Sequence, residues 1–368
     1  MSAPGSGALA AHLERLIAIQ GPLTVAQFMA EALLHPRHGT YMRANPIGLA
    51  GDFTTAPEIS QMFGELIGLW CADCWQKLGA PGHVQLVELG PGRGTLMVDA
   101  LRAAAMVPPF RAALRVHLVE VSPVMRALQR AALDGIANPP PVRWHDRLAE
   151  LPDGPMLLIA NEFFDALPIH QFLATPEGWR ERMIAAADTG FRFVRAPGPT
   201  PAAALLRRGC PTDQPGAIAE VCPAGLAAAR DIAARVLAGP GAALIIDFGG
   251  RDPRGDSWQA VRRHRRHDVL ADPGNADLAA QVDFGALALA AAAAGAAVHG
   301  PIAQGVFLDA LGIGMRAAAL ADRGDKARSK AVHLAHHRLT APGEMGEHFK
   351  VLAITDPDMP ACAGFDSP

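Results

Sequence analysis

Apolar positions at the start of the chain recur at helical spacing, first Leu9, Leu13, Leu16 and Ile17, then Val25, Phe28, Met29 and Leu33. This spacing predicts that the chain opens with helices. Residues 36–57 read as a loop punctuated by Gly and Pro, and residues 59–77 as one long helix. The pattern then changes. Short apolar runs at residues 84–88, 115–120, 142–144, 156–160, 242–247, 297–299 and 349–354 alternate with helical stretches. Strands separated by helix-length segments predict βαβ units, and hence a mostly parallel sheet with helices on both faces. Residues 179–219, with a hairpin predicted at 179–194, and residues 251–282 are longer than ordinary connections. They read as insertions that build a cap on the substrate side. The expected architecture is therefore α/β. A helical extension spans residues 1–80, a Rossmann-like core 81–178 and an inserted segment 179–240, and the rest of the doubly wound sheet lies in 241–368.

Glycines mark the first candidate site. The run Leu86-Val87-Glu88 is followed by Leu89-Gly90-Pro91-Gly92-Arg93-Gly94-Thr95 and then by a helix. Glycine removes Cβ and permits positive φ where a ligand must approach the backbone closely. The dinucleotide fingerprint needs Gly or Ala at position 95, where this chain has Thr95, so a nicotinamide-dependent dehydrogenase is disfavoured. The spacing Glu88-x-Gly90-x-Gly92-x-Gly94 fits a ligand whose amino-acid moiety and sugar lie along the loop, with no pyrophosphate on the helix N-terminus. Glu120, at the tip of the second run, offers two acceptor oxygens to a pair of ribose hydroxyls. Asp146, ending the third, is placed to accept from an adenine amino group.

The fourth run leads into Asn161-Glu162-Phe163-Phe164-Asp165-Ala166-Leu167-Pro168-Ile169-His170, where polar side chains interleave with aromatics at a strand end. Carboxylates there suit a nitrogen nucleophile. Glu162 and Asp165 would hold a guanidinium by paired hydrogen bonds, Asn161 would orient an amine or amide, and His170 would accept a proton.

Composition narrows the picture. The 368-residue chain is 50% hydrophobic but only 5% aromatic, with a formal net charge of −3, which argues against a uniform basic field for nucleic acid. Its one basic run is Arg262-Arg263-His264-Arg265-Arg266-His267, read as a solvated segment or a patch for an acidic partner. Cys71, Cys74, Cys210, Cys222 and Cys362 are odd in number and irregularly spaced, which predicts no disulfide framework, and no second pair completes a zinc site with Cys71 and Cys74. His333, His336 and His337 share a helix face without a supporting carboxylate, so no metal is expected. Residues 1–11 lack signal-peptide features, and the alanine-rich run 286–297 is shorter than the ~20 residues that span a bilayer. A bacterial cytoplasmic location is the expectation.

Three blocks carry a resemblance to a known family. They are Gly51-Asp52-Phe53-Thr54-Thr55-Ala56-Pro57-Glu58-Ile59-Ser60-Gln61-Met62-Phe63-Gly64-Glu65, the glycine loop with Leu96-Met97, and Asn161 to Pro168. Together they resemble the MidA-like methyltransferases, bacterial relatives of the mitochondrial complex I assembly-factor methyltransferase. The likeness runs from about His35 to Ala353 and includes Gly305-Val306-Phe307-Leu308 and Met345-Gly346-Glu347-His348-Phe349-Lys350. It implies a class I fold binding S-adenosyl-L-methionine (SAM), methylation of protein arginine, and a part in assembling respiratory NADH dehydrogenase, one of whose subunits would be the protein partner. It also implies that Thr54, Thr55, Glu58, Ser60 and Gln61 close over the cofactor. Ala279 and Gln281 depart from the family pattern, which has Thr and His there, so no role is assigned to that segment. A non-catalytic SAM-binding chaperone and a small-molecule methyltransferase are the competing functions, and a homodimer is compatible with all of these readings.

Overall fold

The computed structural model describes residues 6–48, 51–206, 214–322 and 324–365. Cys210 and parts of the segments read at 1–11, 36–57 and 179–219 lie outside them. The N-terminal periodicities fold as helices α1 (Ser6–Gln20) and α2 (Val25–Leu34), the second opened by a reciprocal cap between Thr24 and Gln27.

Each of the seven apolar runs is a strand of one sheet. The strands are β1 (Val84–Leu89), β2 (Leu114–Val119), β3 (Val142–His145), β4 (Met156–Asn161), β5 (Gly241–Gly250), β7 (Ala297–Ala303) and β8 (Phe349–Thr355), with a two-residue β6 (Val282–Asp283) beside the end of β5. Their spatial order is β7-β8-β5-β4-β1-β2-β3. Every pair from β5 to β3 is parallel, while β8 runs antiparallel to both β5 and β7. The sheet is therefore doubly wound, and β8 separates it from a fully parallel dinucleotide fold. All residues of β1 and β4 are buried, as expected of parallel strands covered on both faces.

Backbone contacts divide the chain into two units. The sheet unit comprises Thr54–Phe164, Ala228–Asp252 and Val282–Pro368, and its core gathers Phe63, Trp70, Leu86, Leu157, Ile246 and Val351. Within it the helix expected at 59–77 is broken. Ala56–Ile59 forms one turn, Ser60 is extended at φ −162°, and α3 (Gln61–Lys77) starts afresh with the Ser60 hydroxyl accepting from the Met62 N–H at 3.2 Å. A serine that caps a helix competes with continuing one, which periodicity alone does not register. Helix α4 (Thr95–Ala104) packs closely on α3, because a Cβ on Gly68 would lie 2.6 Å from the Ala100 Cα. Cys71 and Cys74 are buried in α3, and burial pushes the Cys71 thiol well above its ordinary range.

The second unit comprises Met1–Phe53, Asp165–Ala227 and Pro253–Gln281. Its central strand Gly178–Ala186 pairs with Leu23–Thr24, His170–Thr175 and Phe191–Arg195, so the hairpin expected at 179–194 is present. A three-stranded antiparallel sheet joins Arg265–His267, Gln259–Arg262 and Asp277–Ala279. Phe28, Met29, Leu33, Ile184, Trp258 and Leu278 belong to this unit's own core. Among the described residues no helix is long and apolar enough to cross a membrane.

Candidate functional site

The strand order reverses at β1 and β4, and in an open α/β sheet ligands bind outside the carboxyl ends of the strands at such a point. After β1 the chain enters α4 through Gly90, Gly92 and Gly94, whose φ angles are +60°, +53° and +84°. A Cβ at Gly90 would come 2.9 Å from Cδ2 of Phe163. The Gly94 N–H closes the turn on the Pro91 carbonyl at 2.8 Å.

Glu120 follows β2. Its Oε1 accepts the Ser122 N–H at 2.7 Å and its Oε2 accepts from Gln129 Nε2 at 3.2 Å, while burial pushes its carboxyl pKa up. Gln129, on helix α5 (Pro123–Asp134), is fully buried, and it also donates to the Gly92 carbonyl at 2.8 Å and accepts from Trp144 Nε1 at 2.9 Å. One amide thus fixes the glycine loop relative to the ends of β2 and β3. Sequence reading passed over it, because a glutamine in an amphipathic helix ordinarily faces solvent. Asp146 is exposed and ion-paired with Arg126 at 2.6 Å, and Arg126 also donates to the Glu120 carbonyl at 2.7 Å.

At the end of β4, Asn161 is buried and Glu162 turns the backbone through φ +51°. Oε1 of Glu162 accepts the Ala56 N–H at 2.8 Å and lies 3.2 Å from Nδ2 of Asn161. The next two N–H groups, of Phe163 and Phe164, both donate to Oδ2 of Asp247 at 3.1 and 2.8 Å, and the Phe248 N–H donates to its Oδ1 at 2.8 Å. Asp247 is wholly buried, and it holds the turn that presents Glu162. It too was missed as a site residue, although a lone carboxylate closing the apolar run Ala242-Ala243-Leu244-Ile245-Ile246 is a signal available from sequence.

The segment preceding α3 is stitched to both strand ends. Glu58 accepts from Arg93 Nη1 at 3.0 Å and from the Thr95 hydroxyl, which ties it to the glycine loop, while Ala56 meets Glu162. Ser60 serves as the α3 cap and Gln61 donates to Glu65 at 3.0 Å. Thr54 and Thr55 lead into this one-turn helix, Thr55 at its N-cap position without a side-chain cap bond.

Two buried acceptor oxygens at these strand ends have no hydrogen-bond donor, Oε2 of Glu88 and Oδ1 of Asn161. Burial pushes the Glu88 carboxyl up to about 8. Orphaned acceptors are costly in a protein interior, and they mark where a ligand's N–H or O–H groups would be welcome.

Asp165 and His170 fall in the second unit with neighbours of their own. The Asp165 carbonyl accepts the Ala280 N–H at 3.0 Å, and Nδ1 of His170 lies 2.5 Å from the buried Glu181 carboxylate. In the same unit His12, Glu31 and His35 bring donor atoms within 4.8 Å of one another. However, His35 Nδ1 already accepts the N–H groups of Arg37 and His38, at 3.1 and 3.2 Å. That places the ring proton on Nε2 and leaves a donor where a cation needs a lone pair.

Over residues 66–302 the chain matches the family described as "Putative S-adenosyl-L-methionine-dependent methyltransferase". It is 38% identical over 390 residues to the Xenopus tropicalis "Protein arginine methyltransferase NDUFAF7, mitochondrial", covering 98% of this chain and 90% of that relative. The human protein of the same name is 37% identical, with 93% and 82% covered. A Burkholderia thailandensis crystal structure bound to S-adenosyl-homocysteine, described as a "likely methyl transferase", superposes with a TM-score of 0.86 at 29% identity, covering 99% of this chain and 96% of that one.

Proposed function

This chain belongs to the family of S-adenosyl-L-methionine-dependent methyltransferases, and on that premise we propose that it methylates a guanidinium nitrogen of arginine in a protein, a subunit of respiratory NADH dehydrogenase. The observation that carries the reading is Glu162, a carboxylate held in a left-handed turn beside the glycine loop by Ala56, Asn161 and Asp247. Relatives named as protein arginine methyltransferases support the same substrate class.

The residues fit the cofactor. The glycine loop follows a strand end with three positive-φ glycines that carry no side chains, Glu120 would hold ribose hydroxyls, and the orphaned oxygens of Glu88 and Asn161 suit the donors of an amino-acid moiety. When bound, SAM supplies a methyl group on positively charged sulfur, open to in-line attack by nitrogen. Glu162 would accept the guanidinium N–H groups, orient the attacking nitrogen and offset the positive charge it carries. The nitrogen would gain a C–N bond in exchange for the methyl carbon's bond to sulfur, which would be left as a neutral thioether, and the nitrogen would give up one proton. Asp165 as second guanidinium acceptor and His170 as proton acceptor belong to the same proposal. Asp165→Asn and His170→Asn test each role, since lost turnover with SAM affinity kept supports it and unchanged turnover removes it.

Purified protein incubated with methyl-tritiated SAM and NADH dehydrogenase subunits from a strain lacking this enzyme should label one subunit, with methylarginine identified by mass spectrometry. Label on a small metabolite would replace the substrate class. SAM binding with no label anywhere would favour the chaperone reading.

A further inference from the structure

The second unit carries a charged feature that methyl transfer does not use. Strands Gln259–Arg262 and Arg265–His267 form a hairpin in which Arg262 stands opposite Arg265 and Val261 opposite Arg266. Its turn is Arg263-His264, with φ of +50° and +61°. Two-residue turns with both residues left-handed favour Asn-Gly, so Arg263 in particular does not suit its backbone. The two cross-strand guanidiniums also repel. Asp52 holds the tip nonetheless, its Oδ1 accepting the Arg263 N–H at 2.9 Å and its carbonyl the His264 N–H at 2.8 Å. Asp272 neutralises Arg262 at 2.7 Å. Arg263, Arg265 and Arg266 are exposed and form no ion pair among the described residues. Local rules of turn and charge are broken at one place and the result is pinned from elsewhere in the fold, a pattern that accompanies function.

We infer that this hairpin tip docks an acidic protein segment, one that offers several Asp or Glu carboxylates to Arg263, Arg265 and Arg266. The guanidinium fork matches a carboxylate in two parallel hydrogen bonds. Residues 263–266 include no Phe, Tyr or Trp on which a nucleic-acid base could stack, and the chain's net charge of −3 supplies no wider field for a long polyanion. Nor do they include an apolar side chain to enter a lipid interface. On the protein-substrate reading above, the acidic segment belongs to the substrate and is distinct from the arginine that is methylated.

The test is fluorescence anisotropy of a labelled oligoglutamate peptide titrated with the whole protein at low and at physiological salt. Saturable binding that weakens with salt is expected, at least about tenfold weaker in an Arg263→Ser/Arg265→Ser/Arg266→Ser variant whose melting temperature and SAM affinity are unchanged. Should Arg263 prove necessary for folding, the Arg265→Ser/Arg266→Ser variant keeps the turn and must still lose at least about threefold. Equal binding by these variants would overturn the assignment. So would tighter binding of single-stranded DNA or phosphatidylserine vesicles through the same arginines. The peptide readout involves no methyl transfer, so its failure and that of the arginine-methylation reading are separable.

Discussion

The ends of β1 and β4 lie side by side in the sheet, with Leu89 in register with Ala160, and both turn the backbone through the left-handed region. They do so with opposite residues. After β1 the turn is made by Gly90, Gly92 and Gly94, which adopt such angles at no steric cost and leave their backbone bare. After β4 it is made by Glu162, for which the same conformation costs of order 1–3 kcal/mol. The cost is offset by hydrogen bonds from Phe163 and Phe164 to buried Asp247 and from Ala56 to Glu162 itself. Where the backbone must approach a ligand, side chains are absent. Where one side chain must be presented, strain is kept and fixed from behind.

The contrast breaks most severely at the glycine loop. Gly92→Val puts a β-branched residue at φ +53°, and its strain and lost backbone access should weaken SAM binding at least about 100-fold by calorimetric titration. Normal affinity in a folded variant would show that the loop lies elsewhere than against the cofactor. On the β4 side, Asp247→Ala leaves the buried N–H of Phe164 and the part-buried N–H groups of Phe163 and Phe248 without their acceptor, at up to about 1–3 kcal/mol each. Chemical denaturation should register roughly 3 kcal/mol or more, and turnover should fall further than SAM affinity, with Asp247→Asn recovering part of both. A variant as stable as the parent would mean that the turn holds itself.

A subtler difference concerns protonation. The carboxyl of Glu88 is raised by burial to about 8 in the folded chain, above its value when unfolded. Its contribution to stability is therefore fully present below the unfolded value and is lost as pH rises through about 8. Without ligand the protein should melt at a lower temperature above that pH than at pH 6 to 7. A cationic amino group at the orphaned Oε2 favours the ionised form, so SAM affinity should climb as pH approaches about 8. Glu88→Gln should flatten both profiles, and unaltered pH dependence in that variant would remove Glu88 from the site.

Much of this was legible in sequence, for reasons visible in the molecule. Strands covered on both faces, such as β1 and β4, are mostly apolar along their length, so they stand out from helical periodicity. Glycines confined to one turn, and carboxylates at strand tips such as Glu120 and Glu162, stand out by residue type. Residues that act from behind did not. Gln129 resembles any surface glutamine until the helix is rotated against the sheet, and Asp247 resembles a strand end until its partners, more than eighty positions away, are known. The second unit joins segments far apart in the chain, and pairings such as Leu23 with Ile184 leave no local trace. The break at Ser60 was hidden by an apolar rhythm that continues across it.

The division of labour between the two strand ends is tested most directly by Glu162→Gln, with SAM affinity measured by calorimetry and methyl transfer to protein arginine measured in parallel. The expected result is affinity within about threefold of the parent, with turnover lower by about 100-fold or more, because only the acceptor side is altered. Unchanged turnover, or loss of SAM binding in a folded variant, would contradict it.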